Sequence, residues 1–105
     1  MIKNGSWNCR FMGSKSNYAD ASVIMVGAPM DFTTSYRPGA RFGPQKIRET
    51  SYALEEYSPY LDRDLSEASF YDAGDLELVF GDVQKSLAII EDVAAEILSD
   101  DKKSL

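Results

Sequence analysis

Four consecutive apolar residues, Val23-Ile24-Met25-Val26, constrain the fold more than any other feature of the chain. A strand with one face in water alternates apolar and polar residues, and this run does not. It therefore predicts a strand covered on both faces, as in a parallel sheet, closed by Gly27 and Pro29. The connection from Pro29 to Gly43 is longer than the few residues that usually join a strand to a helix. Long loops at the carboxyl end of a parallel strand are where α/β proteins place binding sites, although such an excursion also serves merely to cap a sheet.

The rest of the chain alternates. Pro38 fixes φ and Gly39 permits φ > 0, which predicts a type II turn. Gly43 then serves as a helix N-cap with Pro44 in the first turn, where its missing N–H costs nothing. The spacing predicts a helix over Pro44–Tyr57, with Ile47, Leu54 and Tyr57 facing inward and Arg48, Glu49, Glu55 and Glu56 facing water. Ser58-Pro59 ends it. A charged connection leads to a short strand at about Ser69–Asp72 ending in Gly74. A second helix spans Asp82–Ser99, where Val83, Leu87, Ile90, Ala94, Ile97 and Leu98 follow helical periodicity behind a Gly81-Asp82 cap. The expected organisation is an irregular arm over 1–20, a strand–helix–strand–helix unit over 21–99 and a frayed tail over 100–105. With two strands and no third after the last helix, the unit reads as the first part of a larger parallel α/β domain with right-handed crossovers.

Composition limits the chemistry. The 105 residues hold 17 acidic and 11 basic side chains, a net charge of −6. This argues against nucleic acid as a partner, since phosphate-backbone affinity rests on excess Lys and Arg. Cys9 is the only cysteine, so neither an intrachain disulfide nor a cysteine metal cage is expected, and a reducing cytoplasm suits a lone thiol. The first residues carry no apolar signal-peptide core, and no run approaches the ~20 apolar residues that span a bilayer. There is no histidine, so imidazole-based catalysis and His–metal sites are excluded within these residues.

Three features were candidates for chemistry. Gly39–Lys46, G-A-R-F-G-P-Q-K, fails as a phosphate loop: its second glycine comes one residue early, and Pro44 removes a needed N–H. Arg37 and Arg41 flank the Pro-Gly turn. They suit recognition of a carboxylate by guanidinium forks, or bracing of the loop to Asp31, Asp72 or Asp75; bracing is the commoner use. Asp72 and Asp75 pair at the end of the second strand. Two carboxylates alone make a poor cation site, so Asp72 is expected to hold a loop and Asp75 to help a turn at Gly74.

The stretch Thr34–Arg48, T-S-Y-R-P-G-A-R-F-G-P-x-x-I-R, followed by D-A-G-D at 72–75, resembles the signatures of the ureohydrolases, the arginase and agmatinase family, and agmatinases in particular. The matching region runs from about Val23 to Leu98. The resemblance implies an α/β fold, the N-terminal part of a three-layer α/β/α arginase-like domain with a mostly parallel sheet. It implies a parent enzyme in which two manganese ions generate a hydroxide that attacks the carbon of a guanidino substrate such as agmatine, releasing urea. It further implies a homo-oligomer when the enzyme is complete; the cytoplasmic location is expected from the lone thiol and the missing signal-peptide core. The family's metal ligands lie in Gly-Gly-Asp-His and Asp-Ala-His-x-Asp motifs, neither of which occurs in this sequence, and in an Asp-x-Asp motif later than both, so no catalytic or metal residue is assigned. The isolated chain is expected to bind no manganese and to be inactive. What carries over is scaffold and rim loop: Thr33, Thr34, Ser35, Arg37, Gly39, Arg41, Gly43, Asp72 and Asp75, with Thr33, Thr34 and Ser35 as contacts behind the metal pair of a complete enzyme. The alternative is a non-catalytic interaction module that retains the first part of the fold.

Overall fold

In the computed structural model, which describes residues 5–6, 9–15, 17–31 and 38–105, the apolar run forms the middle of a sheet. The strands and helices in chain order are β1 (Gly5–Ser6), β2 (Val23–Gly27), α1 (Gly43–Ser51), β3 (Tyr57–Ser58), β4 (Arg63–Asp64), β5 (Phe70–Leu76), α2 (Val83–Ser99) and β6 (Lys103–Ser104). The main sheet has the order β1-β5-β2-β6. Strands β5 and β6 run parallel to β2, and β1 is antiparallel to β5. The short strands β3 and β4 form a separate antiparallel hairpin.

Side chains of a strand alternate between faces, and the two helices use the two faces of this sheet. On one, Ile24, Ala73 and Leu76 pack with Val93 and Ile97 of α2, and Ala21 completes the core. On the other, Asp72 and Asp75 of β5 meet α1. Helix α2 begins where its cap predicts: the Asp82 carboxylate accepts a hydrogen bond from the Lys85 amide at 3.0 Å. The expected layered α/β arrangement, a helix on each face of a mostly parallel sheet, is thus present.

Four expectations are corrected. Helix α1 ends at Ser51, not Tyr57, because Ala53 and Leu54 amides turn back onto the Thr50 and Ser51 carbonyls, and Tyr57 is recruited to the hairpin. Its buried residues are Arg48 and Ser51, whereas Ile47, Leu54 and Tyr57 are exposed. Gly43 is the first helical residue rather than the cap, with Phe42 before it. The second strand runs from Phe70 through Gly74 to Leu76, since Gly74 adopts φ 86° and the pairing with β2 continues past an irregularity between Met25 and Gly27.

The ends of the chain also differ from the reading of an irregular arm and a frayed tail. Gly5 and Ser6 pair with Leu76 and Asp75. After α2, Asp101 takes a left-handed turn at φ 59°, and Lys103–Ser104 joins β2 as a third parallel strand. Lys102 fixes this return: its Nζ donates to the carbonyls of Ala21 at 2.5 Å and Ala19 at 3.4 Å and sits 5.0 Å from the Tyr18 ring centre. Among the described residues, no helix is long and apolar enough to cross a membrane.

Candidate functional site

Arg48 occupies the centre of the α1 face of the sheet, only 2% exposed. An unpaired charge at that depth is strongly disfavoured, and the surrounding groups provide what it needs. Its Nε and Nη2 donate to the two carboxylate oxygens of Asp72 at 2.7 and 3.0 Å, and Nη1 donates to Asp75 Oδ1 at 2.5 Å. Burial opposes the charge on Arg48, yet the hydrogen bonds to Asp72 and then Asp75 outweigh it, so the guanidinium is held above its ordinary pKa.

The same cluster gathers the arm before β2. The Phe11 amide donates to Asp72 Oδ2 at 2.8 Å, the Met12 amide to Ser51 Oγ at 2.9 Å, and Ser14 Oγ accepts from the Asp72 amide at 2.8 Å. Ser51 in turn donates to the Arg48 carbonyl at 2.6 Å, and the Gly74 amide donates to Asp72 Oδ1 at 2.9 Å. Among the described residues, no buried side-chain polar atom lacks a partner. Phe11 stacks edge-on against Phe70, with ring centres 5.9 Å apart, so the arm adds apolar contact to these polar ties.

A smaller cluster holds the end of the long loop. Asp31 is buried, and its Oδ2 accepts from the Gly39 amide at 2.8 Å and the Arg41 amide at 3.4 Å. Arg41 Nε lies 3.8 Å from the same oxygen, with the side chain 45% exposed and its guanidinium 5.0 Å from the Phe42 ring centre. Gly39 adopts φ 149°, a conformation that disfavours any side chain. Gly43 is helical, and a Cβ there would meet open space.

The predicted residues therefore separate into two groups. Asp72 and Asp75 are brought together, but by Arg48, a residue the helical periodicity had turned to water. Gly39 and Arg41 converge on Asp31. Thr33, Thr34, Ser35 and Arg37 lie outside the described residues. The signal for Arg48 was available: two acids in a strand buried on both faces require a cation, and the neighbouring helix offers one with a small residue, Ser51, one turn on. Both carboxylates are committed to the guanidinium, and the described residues contain no group of three or more His, Cys, Asp or Glu that could hold a metal ion.

Comparison with known proteins places this architecture. The chain is 54% identical over 92 residues to an agmatinase of Bacillus subtilis (strain 168), covering 88% of this chain and 32% of that protein. The crystal structure of agmatine ureohydrolase of Thermoplasma volcanium superposes with a TM-score of 0.84 at 30% identity, over 90% of this chain and 32% of that one. A Trypanosoma cruzi formiminoglutamase solved with Mn2+ shares the fold, with a TM-score of 0.72 at 24% identity, over 90% of this chain and 34% of that one. The chain thus spans about a third of the length of these relatives. The model of the arginase family matches residues 21–105, which takes in β2, both helices, the Arg48 cluster and β6, and the chain belongs to that family.

Proposed function

We propose that this chain forms the N-terminal strand–helix unit of an agmatinase-like ureohydrolase, a cytoplasmic, homo-oligomeric enzyme that hydrolyses a guanidino substrate such as agmatine to an amine and urea in polyamine metabolism. The observation that carries the reading is the 54% identity to the B. subtilis agmatinase over 88% of the chain. Manganese is the metal proposed for the parent enzyme, as the resemblance of Thr34–Arg48 and of 72–75 to the ureohydrolase signatures implies. The residues described here do not fit such a site, since Asp72 and Asp75 are both engaged by Arg48 and the sequence has no histidine. In this reading the metal ligands belong to the two-thirds of the relatives' length that the chain does not match. The lone free thiol, Cys9, suits a reducing compartment.

In this reading the Arg48 cluster is scaffold: it fixes the carboxyl ends of β2 and β5 against α1, at the rim from which α/β enzymes present their sites. Asp31, Gly39 and Arg41 set the exit of the rim loop, and Thr33, Thr34, Ser35 and Arg37 belong to that loop.

The test is a chimera in which this chain replaces the matched third of the B. subtilis agmatinase. It is expected to release urea from agmatine when manganese is supplied, whereas the 105-residue chain alone releases none. A chimera that melts cooperatively yet produces no urea, or urea release by the chain alone, overturns the reading.

A further inference from the structure

Charge is divided along the segment that carries α1. From Gly39 to Arg48 there are three bases and no acid; from Glu55 to Glu67 there are five acids and one base. Of the three bases, Arg48 is engaged inside by Asp72 and Asp75, whereas Arg41 and Lys46 reach the surface. They flank Phe42, which is 62% exposed although an aromatic ring gains much from burial. The Arg41 guanidinium lies 5.0 Å from that ring, and Lys46, one turn further on, makes only a long ion pair with Glu49 at 3.9 Å. The amino end of α1 therefore presents an apolar knob between two cations.

The acidic half forms a groove. The β3–β4 hairpin and the short 3₁₀ turn Leu65–Glu67 bound an open space of about 550 Å³, lined by Leu61, Leu65 and Ala68 and by the acids Glu56, Asp64 and Glu67. A two-stranded hairpin is marginal by itself in water, yet this one is braced locally. The Tyr57 hydroxyl donates to Asp62, Arg63 pairs with Glu67 at 2.6 Å, and Asp64 accepts from the Ser66 amide at 2.9 Å in a capping box. A groove already held in shape loses little conformational freedom when it is filled.

What suits such a groove is an apolar side chain with cations beside it, and the chain itself exposes one. Two hairpins facing each other about a two-fold axis would set like charges together, so a self-complementary contact is disfavoured. The cationic knob precedes α1 and the acidic groove follows it, so one copy can offer its knob to a second while its own groove receives the knob of a third. We propose that Phe42, with Arg41 and Lys46, docks in the hairpin groove of a second copy of this chain, a head-to-tail contact. That this contact serves an oligomeric enzyme rests on the reading above. The two surfaces themselves rest on the division of charge, the exposed ring and the groove.

Sedimentation equilibrium of the 105-residue chain, over a concentration series at low salt, tests this. The chain is expected to associate, and added salt to weaken the association. Phe42→Ser with Lys46→Glu removes the knob; Glu56→Lys with Leu61→Ser removes a charge and an apolar wall of the groove. Each pair is expected to weaken association by about tenfold or more, as loss of a buried anchor does. All four side chains are exposed in the single copy, so each variant should keep its fold, which circular dichroism checks. Mixed in equal amounts, the two variants are expected to recover a dimer and nothing larger, since one intact knob then meets one intact groove. A wild-type chain still monomeric at about 0.1 mM overturns the proposal. So does association that neither variant weakens, or variants that weaken it singly and recover no dimer when mixed. None of these readouts uses urea release, so failure here and failure of the ureohydrolase reading are distinguishable.

Discussion

Gly27 and Asp75 compete for one volume: a methyl group built on Gly27 would stand 1.9 Å from Asp75 Oδ1 and 3.0 Å from Pro44 Cβ. The absence of a side chain at the end of β2 is what lets Asp75 reach Arg48. Gly27→Ala is therefore expected to push Asp75 off the guanidinium and to destabilise by ~1–3 kcal/mol, the usual cost of overpacking. Urea denaturation measures it. Combining Gly27→Ala with Asp75→Ala should cost less than the sum of the two, since both disturb the same contact; additive costs would show that Asp75 is not the obstacle.

Arg48→Ala leaves Asp72 fully buried without a counter-charge. Removing one partner of a buried pair commonly costs ~3–5 kcal/mol, most of the margin of a small domain. Arg48→Lys should recover only part of this, because an ammonium cannot serve Asp72 and Asp75 through a planar fork. Equal stability of the Lys variant and the wild type, by denaturant titration, would contradict the two-carboxylate geometry.

The Tyr18 phenol is raised to about 12, through burial first and then the hydrogen bond and charge of Asp100, with Glu96 adding to it. Its ordinary value is 10.0. The folded state thus favours the neutral phenol, and the stability this gives is fully present below pH 10. It declines between pH 10 and about 12 and is lost as pH passes the folded value. Tyr18→Phe should flatten that alkaline decline, seen as a smaller fall in thermal midpoint between those pH values.

Lys102→Met keeps most of the side chain but loses its bonds to the Ala19 and Ala21 carbonyls. A cost of ~1–2 kcal/mol is expected for hydrogen bonds made by a charged group, partly offset by solvation of the freed carbonyls. Exchange at the Lys103 and Leu105 amides should accelerate more than exchange at Ile97, localising the effect to β6.

Much of this was legible in the residues, and the exceptions have physical causes. Val23–Val26 announces its strand as an unbroken apolar run and α2 its helix by helical spacing, but the inward face of α2 is shifted from the expected stripe: Leu87 and Leu98 are exposed, and Ser86, Val93 and Ile97 are buried. Helix α1 misleads because its buried face is chosen by charge pairing: Arg48 and Ser51 go in while Ile47 stays out. Strand β6 carries no pattern, since Lys103 and Ser104 are polar and exposed and are held by backbone bonds that a Lys side chain from the helix end sets up. In the candidate site, Asp72 and Asp75 could be paired from spacing alone. Their common partner was signalled by the need of two buried acids for a cation, against the helical periodicity that turns Arg48 to water.

Asp72 draws on segments far apart in the chain, accepting from Phe11 and binding Arg48. Until α1 and β5 are both in place, that carboxylate cannot leave water without a large penalty. Docking of the helix and pairing of β5 with β2 are therefore a single kinetic event, and mutations at Arg48 and Asp72 should report the same degree of structure in the folding transition state. The arm around Phe11, whose ties to Asp72, Ser51 and Phe70 all need α1 and β5 already in place, is expected to close after that barrier, so its variants should speed unfolding while leaving the folding rate unchanged.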